Sequence, residues 1–282
     1  MLHIVTDGAA DMPIEWKQKY GIHILPLRVS FGDKTYTAGV DLQMDDFYNL
    51  VKQTRIIPKT SLPSPGQVAE FYRSIAKKGE EILSIHIASK LSGTYNTVVA
   101  AAQELKDDFR IYPFDSGAGS AAMGFMCREA RLLASSGRSV DEIIKKLVRM
   151  RDGLTVIFTL DNLEFAFLGG RISALQSMLS SLLKVKPIIL LRDGLLEVVD
   201  RVRTRQRAID HVLESVRDRL GGSPATVAVV HAADPDTAAG ILAKLREVIN
   251  IQEVVITDLA IPVAANLGPG AIGIVAFAEE KL

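Results

Sequence analysis

Short apolar runs alternate with amphipathic helical stretches from one end of this chain to the other, and that alternation restricts the fold more than any other feature. A strand buried on both faces needs a layer above and below it. Helices between the strands supply those layers, so the pattern predicts an α/β protein with largely parallel sheets. In the first half, "LHIVTD", "EILSIHIA" and "FRIYPFDS" read as strands, and "GIHILPLRVSFGDKTYTAG" reads as a strand, a turn at Gly32 and Asp33, and a second short strand. The helices are "DDFYNLVKQT", "PGQVAEFYRSIAKKG", "GSAAMGFMCREARLLASSG" and "SVDEIIKKLVRM". Ser139 stands three residues before Glu142, the spacing of a capping box.

A second pattern starts near Gly153. "LTVIFTL" is a strand, "SALQSMLSSLLKV" a helix, and "KPIILLRDGLLEVVDRVR" a hairpin turning at Asp193 and Gly194. "TRQRAIDHVLESVRDRL" is an amphipathic helix and "ATVAVVHAA" a buried strand. Asp234 and Pro235 then open the helix "DPDTAAGILAKLREVI", and "EVVITDLA" and "AIGIVAFAEE" close as strands. At 282 residues the chain exceeds the usual size of one domain, so the reading is two α/β domains, 1–152 and 153–282.

Several function classes fall away. Lys+Arg and Asp+Glu number 33 each, leaving no net positive field to attract nucleic acid or an anionic membrane. No apolar segment is long enough for a membrane span, and the chain opens directly on a strand, so a soluble cytoplasmic protein is expected. Cys127, the one cysteine, lies in an apolar helical stretch and reads as core. The five histidines are scattered singly, unlike metal ligands. No phosphate-loop, zinc-protease, nucleophile-elbow or paired-cysteine motif occurs. "SSLLK" and "SIAK" match S-x-x-K without its companion motif and read as helix surface. Neither a catalytic residue nor a metal site is assigned.

"GAGSAA" from Gly117 fits a dinucleotide fingerprint and follows a strand, but the helix after it leads to another helix rather than to a strand ending in an acid. Nucleotide binding is disfavoured there. In "SKLSGTYN" a strand hands over to a helix: Ser92 suits an N-cap, or a hydroxyl that together with free N–H groups receives a small anion, and Gly93 admits close approach. "KTSLPSPG" places Thr60 and Ser61 before two prolines in a second hydroxyl-rich loop. "DGAAD", "DSGAGS" and "LGGRIS" carry similar chemistry, and Arg201, Arg203 and Arg205 alternate so that a strand would aim them at one face. A solvated strand edge is the other reading of those arginines.

Taken in order, "IVTDGAADMP", "TSLPSPG", "SKLSGTYN", "DSGAGSAAMG", "LGGRIS", "KPII", "VRTRQRA" and "GPGAIGI" resemble the DegV family, fatty-acid-binding proteins that include the carrier subunits of bacterial fatty acid kinase. The resemblance spans Ile4 to Ile274. It implies a fatty acid between two α/β domains, its carboxylate held by Thr60 and Ser92 with Ser61 and Gly93 beside them, and its tail in an apolar tunnel. "VIFTLDNLEFAFLGG" and "ISALQSMLSSLLKV" are candidate lining. It also implies a separate ATP-binding kinase subunit as partner and no cofactor besides the lipid, with Arg171, Arg203 and Asn266 available for a phosphate or partner contact.

Two positions depart from the family pattern. Gly8 stands where a serine is common, and Asn266 where kinase-linked members carry a histidine; an amide cannot take up a proton as imidazole does. A chain of some sixteen carbons gains on the order of 10 kcal/mol at about 0.8 kcal/mol per CH₂, before immobilisation costs. Each hydrogen bond to a carboxylate adds about 1.5–3 kcal/mol. The tail thus supplies affinity and the hydroxyls orientation. Two other readings stay open: a stand-alone enzyme using a nucleotide or phosphorylated substrate, and a lipid sensor with no kinase partner.

Overall fold

The computed structural model describes residues 1–172, 175 and 185–278. The chain opens with β1 (Leu2–Asp7), α1 (Ile14–Lys19) and β2 (Ile22–Leu25). Pro26, which has no N–H to donate, then ends β2 and separates it from the hairpin β3 (Arg28–Phe31) and β4 (Lys34–Thr37). What the sequence offers as one strand and a turn is therefore divided between two sheets. After α2 (Met44–Thr54) comes β5 (Lys59–Ser61), which pairs antiparallel with β3 and sets Thr60 opposite Val29. The expected "TS" loop is thus a three-residue strand.

α3 (Pro65–Ile75), β6 (Glu81–His86), α4 (Thr94–Glu104) and β7 (Arg110–Asp115) complete the first sheet, whose order β2-β1-β6-β7 is parallel throughout. Side chains alternate across it. Val5 and Ile82 pack with α3 and α4 around Tyr72, Val98 and Leu105, whereas Ile4 and Leu83 face α5 (Ala121–Ser135). α6 (Val140–Asp152) follows on Ser139, whose capping box with Glu142 is present as read from sequence.

The second sheet takes its strands from β8 (Leu154–Thr159), β9 (Lys186–Arg192), β10 (Leu195–Val202), β11 (Ala225–His231), β12 (Ile251–Asp258) and β13 (Ile272–Ala278). Their order is β10-β9-β8-β13-β11-β12, and only β11 and β12 run parallel. The α/β layering holds, but only the first sheet is parallel throughout; the second is mixed. Two causes turn the second sheet. The Asp193–Gly194 turn, with φ of 50° and 75°, folds β10 directly back on β9, and β13 inserts between β8 and β11 against the direction of both.

The helices of this half are α7 (Leu163–Gly169), α8 (Arg205–Leu220), α9 (Pro235–Val248) and α10 (Ile261–Leu267). α8 and α9 cover the outer face of the second sheet through Val212, Val216, Ile241 and Leu245. Its inner face turns toward the first half, where the Phe277 and Phe125 rings meet edge to face at 5.6 Å. The largest apolar cluster therefore runs through both halves, from Ile4 to Val275. The helix expected over 173–185 lies largely outside the described residues.

Candidate functional site

In the first sheet the chain leaves β1 toward β2 on one side and returns to β6 on the other, so the loops after β1 and β6 diverge and leave a crevice at the carboxyl ends of the strands. Those loops are held to one another by backbone bonds. Ala88 N donates to Ala118 O (2.7 Å), Ser116 N to His86 O (3.0 Å) and Ser120 N to Ala9 O (2.9 Å). Asp7 fixes the crevice from below, accepting from Ala9 N (2.9 Å) and Ile87 N (3.1 Å).

Above the crevice lies a cavity of about 160 Å³ between the two halves. The second sheet supplies an apolar wall that includes Val156, Phe158, Leu191, Leu196 and Val230. Ala9, Leu27, Ile87 and Gly119 close it from the first half. The uncharged polar lining residues are Thr60, Ser61, Ser92, Thr94, Ser120 and Asn266. Arg171 is the one charged side chain among the described lining residues.

Two separate segments bring the expected hydroxyls to this cavity. Leu62, next to the β5 hydroxyls, reaches the "LSG" turn so closely that a Cβ on Gly93 would lie 3.2 Å from Leu62 Cδ2. Asn266 joins them from α10, its Nδ2 donating to Thr60 Oγ1 (3.5 Å) and to Pro262 O (2.8 Å). Arg171 lies exposed at the rim and donates from Nε to Leu91 O (3.4 Å) and from NH1 to Gly169 O. Of the seven residues singled out from sequence, Thr60, Ser61, Ser92, Gly93, Arg171 and Asn266 line one cavity.

Arg203 does not. β10 ends at Val202 and Thr204 caps α8 by accepting from Arg207 N, so the three alternating arginines never share a strand face. Arg203 is exposed, while Arg205 turns into the protein, donating to Gly270 O (2.7 Å) and pairing with Asp234. It pins the "GPG" loop behind α10. Ser92 is also not the cap of α4. Gly93 occupies that position, and Ser92 Oγ accepts from Thr94 N (3.3 Å) and bonds Thr94 Oγ1 (2.9 Å). Position 8 faces Leu27, whose N would lie 3.4 Å from a Cβ there, and is not a cavity residue.

Sequence reading missed a buried polar chain behind the crevice. His86 bonds Asp7 through Nδ1 (2.9 Å) and Ser84 through Nε2 (2.7 Å), and Ser84 bonds the Tyr72 hydroxyl (2.7 Å). The composition is that of a hydrolase triad, but the geometry is not. Ser84 has no exposed surface, is bonded on both sides, and none of the four lines the cavity. Cys127 is likewise inert, since burial pushes its thiol up to about 12. In the "GAGSAA" loop a Cβ on Gly117 would lie 2.9 Å from the Arg151 side chain, and Gly119 forms cavity wall. Among the described residues no group of His, Cys, Asp and Glu could hold a metal ion, and no helix is long and apolar enough to cross a membrane.

A parallel-sheet half and a mixed-sheet half with a largely apolar cavity between them, lined in part by hydroxyls and an amide, define an α/β protein with a candidate ligand site. The sequence model of a family described as uncharacterised DegV proteins matches residues 1–279, and the chain belongs to the DegV family. It is 34% identical over 273 residues to protein DegV of Bacillus subtilis, covering 96% of this chain and 97% of that one. Among solved structures, DegV of Bacillus subtilis, a fatty acid binding protein, is 33% identical, with 99% of each chain covered and a TM-score of 0.89. A stearic acid-binding protein from Eubacterium ventriosum is 26% identical over 99% of this chain and 98% of its own, with a TM-score of 0.90.

Proposed function

We propose that this chain is a cytoplasmic carrier of a long-chain fatty acid, its carboxylate received by Thr60 and Ser92 and its tail enclosed between the two halves. The observation that carries the reading is the division of the cavity wall: an apolar face from the second sheet, and hydroxyl groups from β5 and the β6–α4 turn gathered together. A carboxylate there is met by neutral donors, so it needs no buried cation. A solved relative described as a fatty acid binding protein, at 33% identity and nearly full coverage, supports the same ligand class.

Presentation of the bound acid to a separate kinase subunit is the further part of this reading. Arg171 at the rim is placed to meet a phosphate or an acidic partner surface, whereas Arg203 lies away from the cavity. Asn266 donates hydrogen bonds but carries no titrating proton, so its role is to orient the head group. The helix after "GAGSAA" leads into α6 rather than to a strand ending in an acid, which weighs against a stand-alone nucleotide-using enzyme.

Native mass spectrometry of the purified chain, followed by lipid extraction, tests the proposal. A retained fatty acid, lost on Thr60→Ala plus Ser92→Ala without loss of fold, is the expected result. A chain that stays empty when offered oleate and palmitate would end it. Pull-down with a fatty acid kinase ATP-binding subunit, comparing the chain with Asn266→His, separates a kinase carrier from a lipid sensor.

A further inference from the structure

Asp11, at the end of the "DGAAD" loop, is 2% exposed and belongs to the first half, yet its carboxyl group reaches both. Its Oδ2 accepts from Ser120 Oγ and its Oδ1 from Ala260 N at 2.6 Å, across 249 residues of chain. Ala260 is the N-cap of α10, the helix that brings Pro262, Val263 and Asn266 to the cavity. Ser120 is itself a cavity residue, held at φ 60° and ψ −145°, a backbone region that ordinarily needs glycine. One carboxyl group therefore ties together the first loop, the start of α5 and the start of α10.

We propose that Asp11 is a positioning residue that holds the two halves together over the ligand, and that enclosure of the ligand is coupled to proton uptake by its carboxyl group. The proposal rests on the carrier reading above and deepens it by adding a control on the same cavity.

The physical basis is desolvation. Burial, reinforced by the like charge of Asp258, pushes Asp11 up to about 7, against the two hydrogen bonds that favour its charge. Among the described residues no basic side chain forms an ion pair with Asp11, and the charge that acts on it is that of Asp258. Asp258, at the end of β12, accepts from the Tyr48 hydroxyl of α2 (3.0 Å) and from Ala233 N (3.4 Å), and lies 3.8 Å from His231 Nδ1 of β11. Asp11 also borders a surface groove between α1, the start of α2 and β12, lined by Glu15 and Lys17 of α1, Asp45 of α2, and Glu253, which is paired with Arg128 of α5. Parting the halves returns the Asp11 carboxylate to water and to its ordinary value. The closed form thus binds the proton more tightly than the open form, so closure strengthens as pH falls through 7 and weakens above it. Between pH 8.5 and pH 5.5 the closing equilibrium gains up to about thirty-fold.

The test has two arms. Oleate dissociation constants are measured calorimetrically at pH 5.5 and 8.5 for the chain and for Asp11→Asn, whose amide keeps the size of the side chain. Oleate's own titration is common to both, so the ratio of ratios isolates Asp11. Tightening at pH 5.5 by up to about thirty-fold relative to the variant is expected, and equal pH dependence would overturn the coupling. The second arm needs no ligand. Hydrogen exchange of 257–267 in Asp11→Ala is expected to rise at least about ten-fold, with β6 still protected. Unchanged protection of that segment would overturn the tie between the halves. Failure of every protein to bind oleate, with exchange raised as expected, would instead sink the fatty acid reading alone.

Discussion

Gly124→Ala sets two physical effects against each other. Gly124 lies within α5, where replacing glycine by alanine ordinarily stabilises a helix by about 0.8–1.0 kcal/mol. Here a Cβ would lie 2.3 Å from the Asp11 carbonyl oxygen and 3.1 Å from Met12 Cβ, so the backbone of the first loop must move by about an ångström to restore a normal C···O contact of about 3.3 Å. Overpacking of this kind costs about 1–3 kcal/mol or more, and Gly124 and Asp11 are both buried. The clash wins, and the expected net loss is about 1–2 kcal/mol. Gly240→Ala in α9 is the matched control, since a Cβ there meets nothing within 4 Å and the full propensity gain is expected. Urea unfolding followed by circular dichroism reads both. A lowered midpoint for Gly124→Ala and a raised one for Gly240→Ala are expected, and equal stabilisation by the two would refute the reasoning.

Three further outcomes follow from the same structure. Thr60→Val and Ser92→Ala are each expected to weaken oleate binding by about ten- to a hundred-fold, the equivalent of one hydrogen bond to a charged group, without shifting the unfolding midpoint. A wild-type dissociation constant in the double variant would remove the head-group assignment. Asp11 is a carboxyl group raised from 3.8 to about 7, so the native state binds the extra proton between those values and stability falls as pH rises through that window. Relative to Asp11→Asn, the chain is expected to lose up to roughly 4 kcal/mol between pH 4 and pH 8 in urea titrations, and a constant difference would contradict the assignment. Cys127, buried and with its thiol held up, is expected to resist iodoacetamide at pH 8 until urea unfolds the chain, and labelling of the folded protein would show that the helix opens.

Local signals were legible in the sequence because they act over a few residues. The Ser139–Glu142 box, the Asp234 cap and the Asp193–Gly194 turn depend on near neighbours, and each stands where its spacing put it. Strand direction in the second sheet was not legible. An apolar run such as "AIGIVAFA" reads the same in either direction, and only its insertion between β8 and β11 makes it antiparallel. β5 has three residues, too few for a period of two to register, so Thr60 read as loop although it pairs with β3.

The site divides along the same line. Thr60, Ser92 and Asn266 were reachable because distinctive short motifs carry them, whereas Val156, Leu191 and Val230 look like ordinary core until the facing half leaves space beside them. Arg201, Arg203 and Arg205 read as one strand face because their alternation continues past Val202, where β10 ends, into the helix that Thr204 caps. Asp11 gave no local signal at all, since its significance lies in Ala260, which nothing nearby in sequence announces.

The central claim is one of orientation, and a crystal structure with an ω-brominated palmitate tests it most directly, because bromine marks the tail by anomalous scattering. The account expects the bromine inside the second-sheet wall beside Leu191 and Leu196, with carboxylate density between Thr60 and Ser92. Bromine at the rim near Arg171, or a lipid bound outside the cavity, would contradict it.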